Sequence, residues 1–145
     1  MRLRRFLEVG GEDRPVPAAA GDRHSADGEL MGSWSATRWQ YASRTRPDRI
    51  VDLVCDLHGS VTLSLSAGAC VLTWDVPGHS SGSIGGAVAL KDGALILRLH
   101  GADEADSVRY RVAAQTLALS SDGSAWDFGG DGEEPAEFVA VLVRL

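Results

Sequence analysis

Residues Ser83–His100 read SIGGAVALKDGALILRLH, and this stretch decides the fold class. Asp92-Gly93 lies between two runs of alternating apolar residues, and Asp-Gly is favoured in two-residue hairpin turns because both positions must adopt positive φ. Folding the chain back there pairs Leu90 with Leu95 and Val88 with Leu97, and sets Gly86 opposite Leu99. Arg98, His100 and Ile96 then share the other face. Register and apolar pattern agree, as they must when one face of a hairpin is buried.

Outward from this hairpin the same period of two recurs. Ser60–Ser66 (SVTLSLS) aligns Val61, Leu63 and Leu65 on one face. A turn at Ala67-Gly68 brings them opposite Trp74, Leu72 and Cys70, with Val76 and Ile84 extending the set. Further on, Val108, Tyr110 and Val112 align with Leu117 and Leu119, while Arg109 and Arg111 point to water. Two later segments, Ala125–Phe128 and Ala136–Arg144, are joined by a glycine-rich acidic loop. The last of them, AEFVAVLVR, is apolar on both faces: Val139, Val141 and Val143 alternate with Phe138, Ala140 and Leu142. Its inward face is not fixed by pattern.

One segment departs from period two. Pro47–Gly59 (PDRIVDLVCDLHG) spaces Ile50, Val51, Leu53, Val54 and Leu57 as on a helix, with Asp48 as N-cap and Gly59 as terminator. A short amphipathic helix is expected there, with a short strand as the alternative. Residues 1–29 carry no sustained apolar period and are rich in Pro, Ala, Gly and mixed charge, so a flexible tail is expected, followed by one domain over 30–145.

Composition bounds the function. The chain has 145 residues and a net charge of −6, against the clustered cations that a nucleic-acid surface needs. No apolar run reaches the length of a membrane-spanning helix. The basic opening MRLRRFLEV is interrupted by Glu8 before any signal-like apolar core develops, and a cytoplasmic location is expected. Cys55 and Cys70 have no ligand-like spacing to each other or to the histidines, so two buried free thiols are expected and no metal site. Asp127–Gly132 (DFGGDG) has the look of a calcium loop, but Gly129 and Phe138 stand where two ligands would be required. A solvated hairpin loop accounts for it.

Eight antiparallel strands joined mostly by tight turns point to an all-β, up-and-down barrel, since closure removes exposed edges. Near its start lies Gly32–Tyr41, GSWSATRWQY. Gly32-x-Trp34 opening the first strand, with Arg144 ending the last, resembles the lipocalin and calycin pattern shared with fatty-acid-binding proteins and avidins. The span from Leu30 onward resembles the small bacterial lipocalin-like domain proteins. The residues carrying it are LMGSW (Leu30–Trp34), GSVTLSL (Gly59–Leu65) and WDFGGDGEEPAEF (Trp126–Phe138). That resemblance implies a barrel whose closed end is plugged by Trp34 and capped by Arg144, with Gly32 shaping the entry. The chain is shorter than classical lipocalins, no export signal is expected in it, and their other signature segments are not found. It has no Asn for an avidin-like ureido site and no inward His for haem, so no cofactor is expected.

The expected role is non-catalytic binding of a small hydrophobic molecule by a monomer or weak homodimer. Candidate ligand-binding residues are Trp39, Tyr41, Trp74, Tyr110, Trp126 and Phe128. By strand parity Trp39 and Tyr41 face away from Trp34, unless a bulge near Thr37 turns them in, beside the open end. Side chains this large can also simply fill a small barrel. The alternative is therefore a filled barrel acting as a protein-interaction or inhibitor module, and a barrel isomerase or cyclase ranks third. No catalytic residue is nominated, because the histidines and acids lack evident partners in sequence.

Overall fold

The computed structural model describes residues 29–129 and 132–145; the expected tail, except Glu29, lies outside them. Nine strands follow one another: β1 (Gly32–Ser43), β2 (Ile50–Asp52), β3 (Ser60–Ser66), β4 (Ala69–Val76), β5 (Ser80–Lys91), β6 (Ala94–Leu99), β7 (Asp106–Ala113), β8 (Thr116–Trp126) and β9 (Glu134–Arg144). Neighbours in sequence pair antiparallel from β3 to β9. β1 then pairs with both β3 and β9, which closes an eight-stranded up-and-down barrel. β2 is a ninth strand beyond this ring.

The hairpin registers are those that the apolar faces demand. Leu65, Leu63 and Val61 oppose Cys70, Leu72 and Trp74; Leu90, Val88 and Gly86 oppose Leu95, Leu97 and Leu99. Asp92 and Gly93 both take positive φ, 52° and 78°, as the tight turn requires. At Gly86 an added Cβ would run into the carbonyl oxygen of Arg98, so this glycine allows β6 to lie close against β5. In β9 the inward face is Ala136, Phe138, Ala140 and Leu142, all buried, and the valines lie outside.

Three expectations change. First, no helix forms among the described residues. Ile50–Asp52 instead extend and pair with Gln40–Ala42, satisfying an edge of β1 that a helix would leave bare. A single turn follows, closed by the Asp56 amide donating to the Asp52 carbonyl at 2.8 Å. Gly59 ends it, packed so that a Cβ would stand 2.7 Å from the Leu53 carbonyl oxygen.

Second, β1 carries a bulge between Ala36 and Arg38. One extra residue inverts the side-chain alternation, so Trp34 and Ala36 below it and Trp39 and Tyr41 above it all face inward. The outward parity expected for Trp39 and Tyr41 is overturned, and the bulge near Thr37 is the reason. Third, the segments expected as separate strands around 116–120 and 125–128 form one strand, β8, which absorbs a bulge between Ser121 and Ser124. Phe128 lies beyond its end.

The core runs the length of the barrel. Trp34, Trp39, Tyr41, Phe138, Leu63 and Leu72 are essentially inaccessible, and Trp74 is 1% exposed. Chain direction places Gly32, the turns at 67–68, 92–93 and 114–115, and Arg144 at one end. The β2 region, the β4–β5, β6–β7 and β8–β9 connections lie at the other, here called the mouth.

Candidate functional site: the barrel mouth

The end opposite the mouth is sealed. The Arg144 guanidinium lies over the Trp34 ring, 4.2 Å from its centroid, where the negative face of the indole attracts a cation. Its Nη1 donates to the Met31 carbonyl at 2.7 Å, its Nη2 to the Glu29 carbonyl, and the Trp34 indole N–H donates to the Leu30 carbonyl at 2.9 Å. Gly32 has φ of 119°, and a Cβ there would stand 3.0 Å from Arg144 Nη1. A side chain at that position would be strained and would crowd the guanidinium. Glu29 and Leu30 thus belong to the plug, one residue earlier than the expected domain boundary.

At the mouth the filling is aromatic. Tyr41 stacks on Trp126 with centroids 4.4 Å apart, and Trp39 meets Phe138 edge-on at 4.9 Å. The Trp39 indole donates to the Tyr41 hydroxyl at 3.3 Å, which gives two buried polar tips a partner. Three of the six candidate ligand residues, Trp39, Tyr41 and Trp126, therefore form one packed cluster. Trp74 is also buried and donates to the Ser80 hydroxyl at 3.1 Å. Tyr110 is half-buried on β7, across from Leu119. These side chains occupy much of the barrel interior themselves.

Behind the bulge, Asp52 organises the mouth. It is 6% exposed, and its Oδ1 accepts from the amides of Trp39 (3.2 Å), Val54 (2.9 Å) and Cys55 (3.2 Å). The Leu53 amide returns a bond to the Trp39 carbonyl at 2.9 Å. The gap between β3 and β2 along β1 is thus bridged at Trp39 by one carboxylate and one amide. Sequence reasoning placed Asp52 on a helix and assigned it no role.

Where the cluster reaches the surface, a cleft of about 500 Å³ opens between the β2 region and the β8–β9 connection. Ile50, Val51, Leu57, Trp126 and Phe128 supply its apolar walls; Asp48, Arg49, His79 and Asp127 supply polar ones. Of the six candidate ligand residues, the cleft brings together only Trp126 and Phe128. Ile50, 54% exposed, is the apolar side chain that a bound molecule could most readily cover. Arg49 Nη1 stands 3.7 Å from Glu134 Oε1, and Arg46 Nε stands 3.9 Å from Glu134 Oε2, so two guanidiniums share one carboxylate at the rim. The apolar cleft residues were legible as a stripe over 50–57, but as a helix face, and their meeting with Phe128 and His79 depends on the closed topology.

The thiols differ. Cys70 is buried near the sealed end, and desolvation pushes its pKa up to about 11. Cys55 is exposed on the turn after β2, contrary to the expectation of two buried thiols, because Asp52 and Leu53 take the inward positions. The Asp52 carboxylate beside it is the main cause raising its pKa. Among the described residues no three His, Cys, Asp or Glu side chains gather as a metal set. The loop considered as a calcium site falls partly outside the described residues. No helix among those residues is long and apolar enough to cross a membrane. Compared with family models, curated proteins and solved structures, the chain matches none.

Proposed function

We propose that this is a lipocalin-like barrel that binds one small apolar, ring-bearing molecule at its mouth, without catalysis. The observation that carries the reading is the cleft of about 500 Å³ walled by Ile50, Leu57, Trp126 and Phe128. Apolar walls with a few polar groups at the rim are the usual make-up of a small-molecule site. The closed barrel with its first-strand Trp34 under Arg144 supports the family likeness. The ligand sits on the aromatic cluster, not beneath it, since Trp39, Tyr41 and Phe138 already pack against one another.

The test is titration with 1-anilinonaphthalene-8-sulfonate, read by probe emission and tryptophan quenching. One site is expected, with affinity lowered about tenfold in Phe128→Ala and in Ile50→Asp, in keeping with loss of one apolar contact. Failure of the native chain to bind the probe, or equal binding by both variants, would overturn the proposal.

A second reading is favoured by the packed interior: a filled barrel that works as an interaction module through its outer surface. Its partner would leave probe binding at the mouth intact.

A further inference from the structure

A strand with one face in water alternates apolar and polar residues, but most of β9 is apolar on both faces. Its inward set fills the core. Its outward set is Val139, Val141 and Val143, and Leu145 continues the row one step past the strand. The Leu145 amide still donates to the Ser33 carbonyl at 2.9 Å, so the row keeps strand geometry to that point. Exposure rises toward the sealed end: Val139 and Val141 are half-buried, Val143 is 38% exposed and Leu145 75%. Among the described residues the other exposed large apolar side chain is Ile50, at the mouth cleft.

The neighbours of the row are short. Val143 lies between Ser35 of β1 and Thr116 of β8, with Thr62 and Ala113 one strand further out on either side. No charge stands in that line. Val141 lies between Arg38 and Ala118, so the first flanking guanidinium comes only one step toward the mouth. The sealed-end half of this outer wall is thus an uncharged shelf with a ridge of branched side chains, suited to apolar and not to ionic company.

The polypeptide that precedes the barrel enters beside this shelf. The Glu29 carbonyl is held by Arg144, the residue between Val143 and Leu145. Residues 1–9, MRLRRFLEV, carry Leu3, Phe6 and Leu7, whose spacing lets one helical turn present all three on one face. Three residues are too few to sustain a period, but they match a short row of valines. Residues 10–28 span up to about 60 Å when extended, against about 20 Å for the row, so the reach is ample. Attachment within one chain also raises the segment's concentration at the shelf above that of a free partner.

We propose that Leu3–Val9 of the same chain dock on the outer row of β9, with Leu3, Phe6 and Leu7 against Val139–Leu145. Arg2, Arg4 and Arg5 stay in water, and the docked segment denies the row to a second copy.

The test is paramagnetic broadening in the full chain, with a nitroxide on Gly10→Cys in a Cys55→Ser background. Amides of Ala118, Val141 and Val143 should broaden, and those of Val71 and Thr73 on the far wall should not. The broadening should be about fivefold greater than in a chain also carrying Phe6→Ser/Leu7→Ser, since apolar burial supplies the attraction. It should not change with protein concentration. Absence of broadening at the row, or equal broadening with the serine pair, overturns the proposal. So does broadening centred on Trp126 and Phe128, which would put the segment at the mouth. If a nitroxide-bearing chain broadens the row of an isotope-labelled, nitroxide-free one, the occupant comes from a second copy and docking within one chain is overturned.

Discussion

At the sealed end one indole, Trp34, is covered by a guanidinium that is itself tied to the carbonyls of Met31 and Glu29. At the mouth Trp39 and Tyr41 are equally buried, but rings cover them: Phe138 on one and Trp126 on the other. A cation held by backbone carbonyls closes its end completely. A stack of rings instead ends at the cleft, which Trp126, 4% exposed, and the half-buried Phe128 line. The same residue type therefore plugs one end of the barrel and backs a cleft at the other, according to what caps it.

Trp34→Ala and Trp39→Ala are the harshest ways to break this contrast. Each removes a fully buried indole and should cost about 3–5 kcal/mol in urea unfolding. Only Trp39→Ala should also alter binding of 1-anilinonaphthalene-8-sulfonate, because its cavity adjoins the mouth. A changed probe affinity in Trp34→Ala would mean that the two ends are coupled.

Asp52→Ala and Arg144→Ala compare the polar anchors of the two ends. Loss of Asp52 leaves the buried Trp39 amide without its acceptor and should cost about 2–3 kcal/mol. Loss of Arg144 frees carbonyls near the surface that can turn to water, so about 1–2 kcal/mol is expected, including the ring contact. If Arg144→Ala proves the costlier by urea unfolding, the seal is stronger than its geometry implies.

The thiols sharpen the comparison by pH. Burial raises the Cys70 pKa from 9.0 to about 11, so the unfolded chain ionises first. The thiol's contribution is complete below about pH 9 and is lost as pH rises toward 11, on the order of 2 kcal/mol in all. In Cys70→Val that part of the alkaline fall should vanish from the unfolding curves. At pH 8 a disulfide reagent should modify the exposed Cys55 in the native chain and reach Cys70 only after unfolding.

The smallest effect belongs to the turn at the sealed end. Ala114 has φ of 55°, which costs an L side chain what it does not cost glycine. Ala114→Gly should stabilise by about 0.5–1 kcal/mol in the same urea assay, with no change at the mouth.

Much of the fold was legible because hairpin register is a local matter. Asp92-Gly93 and the two-residue spacing around it fix which residues face the core, with no knowledge of the far side of the barrel. The misses share a cause: each depends on a residue inserted into, or a strand recruited across, that alternation. Trp34, Ala36, Trp39 and Tyr41 show the first bulge as a phase slip, with two polar residues, Thr37 and Arg38, where one would keep step. Leu117, Leu119, Ser124 and Trp126 show the second in the same way, with Asp122-Gly123 in the slip. β2 left no such mark. Its apolar spacing is helical, and only the unfilled edge of β1 opposite makes an extended conformation preferable. The mouth cleft was legible in two of its residues, Trp126 and Phe128. The rest of it is assembled from connections that converge only when the ring closes.

The pairing of Trp34 with Arg144 also has a consequence for how the barrel is made. Along that edge β1 must wait for the last strand to leave the ribosome, and the intervening loop of about 100 residues costs roughly 4 kcal/mol of chain entropy to close. Until then Trp39 and Tyr41 lack Phe138, and the nascent chain is an open sheet with β1, its most aromatic strand, at one rim and β8, bearing Trp126, at the other. Contacts so distant in sequence make closure the slow, late event of folding. A chain arrested before β9 would then offer chaperones, or its own neighbours, the edge that the finished protein hides.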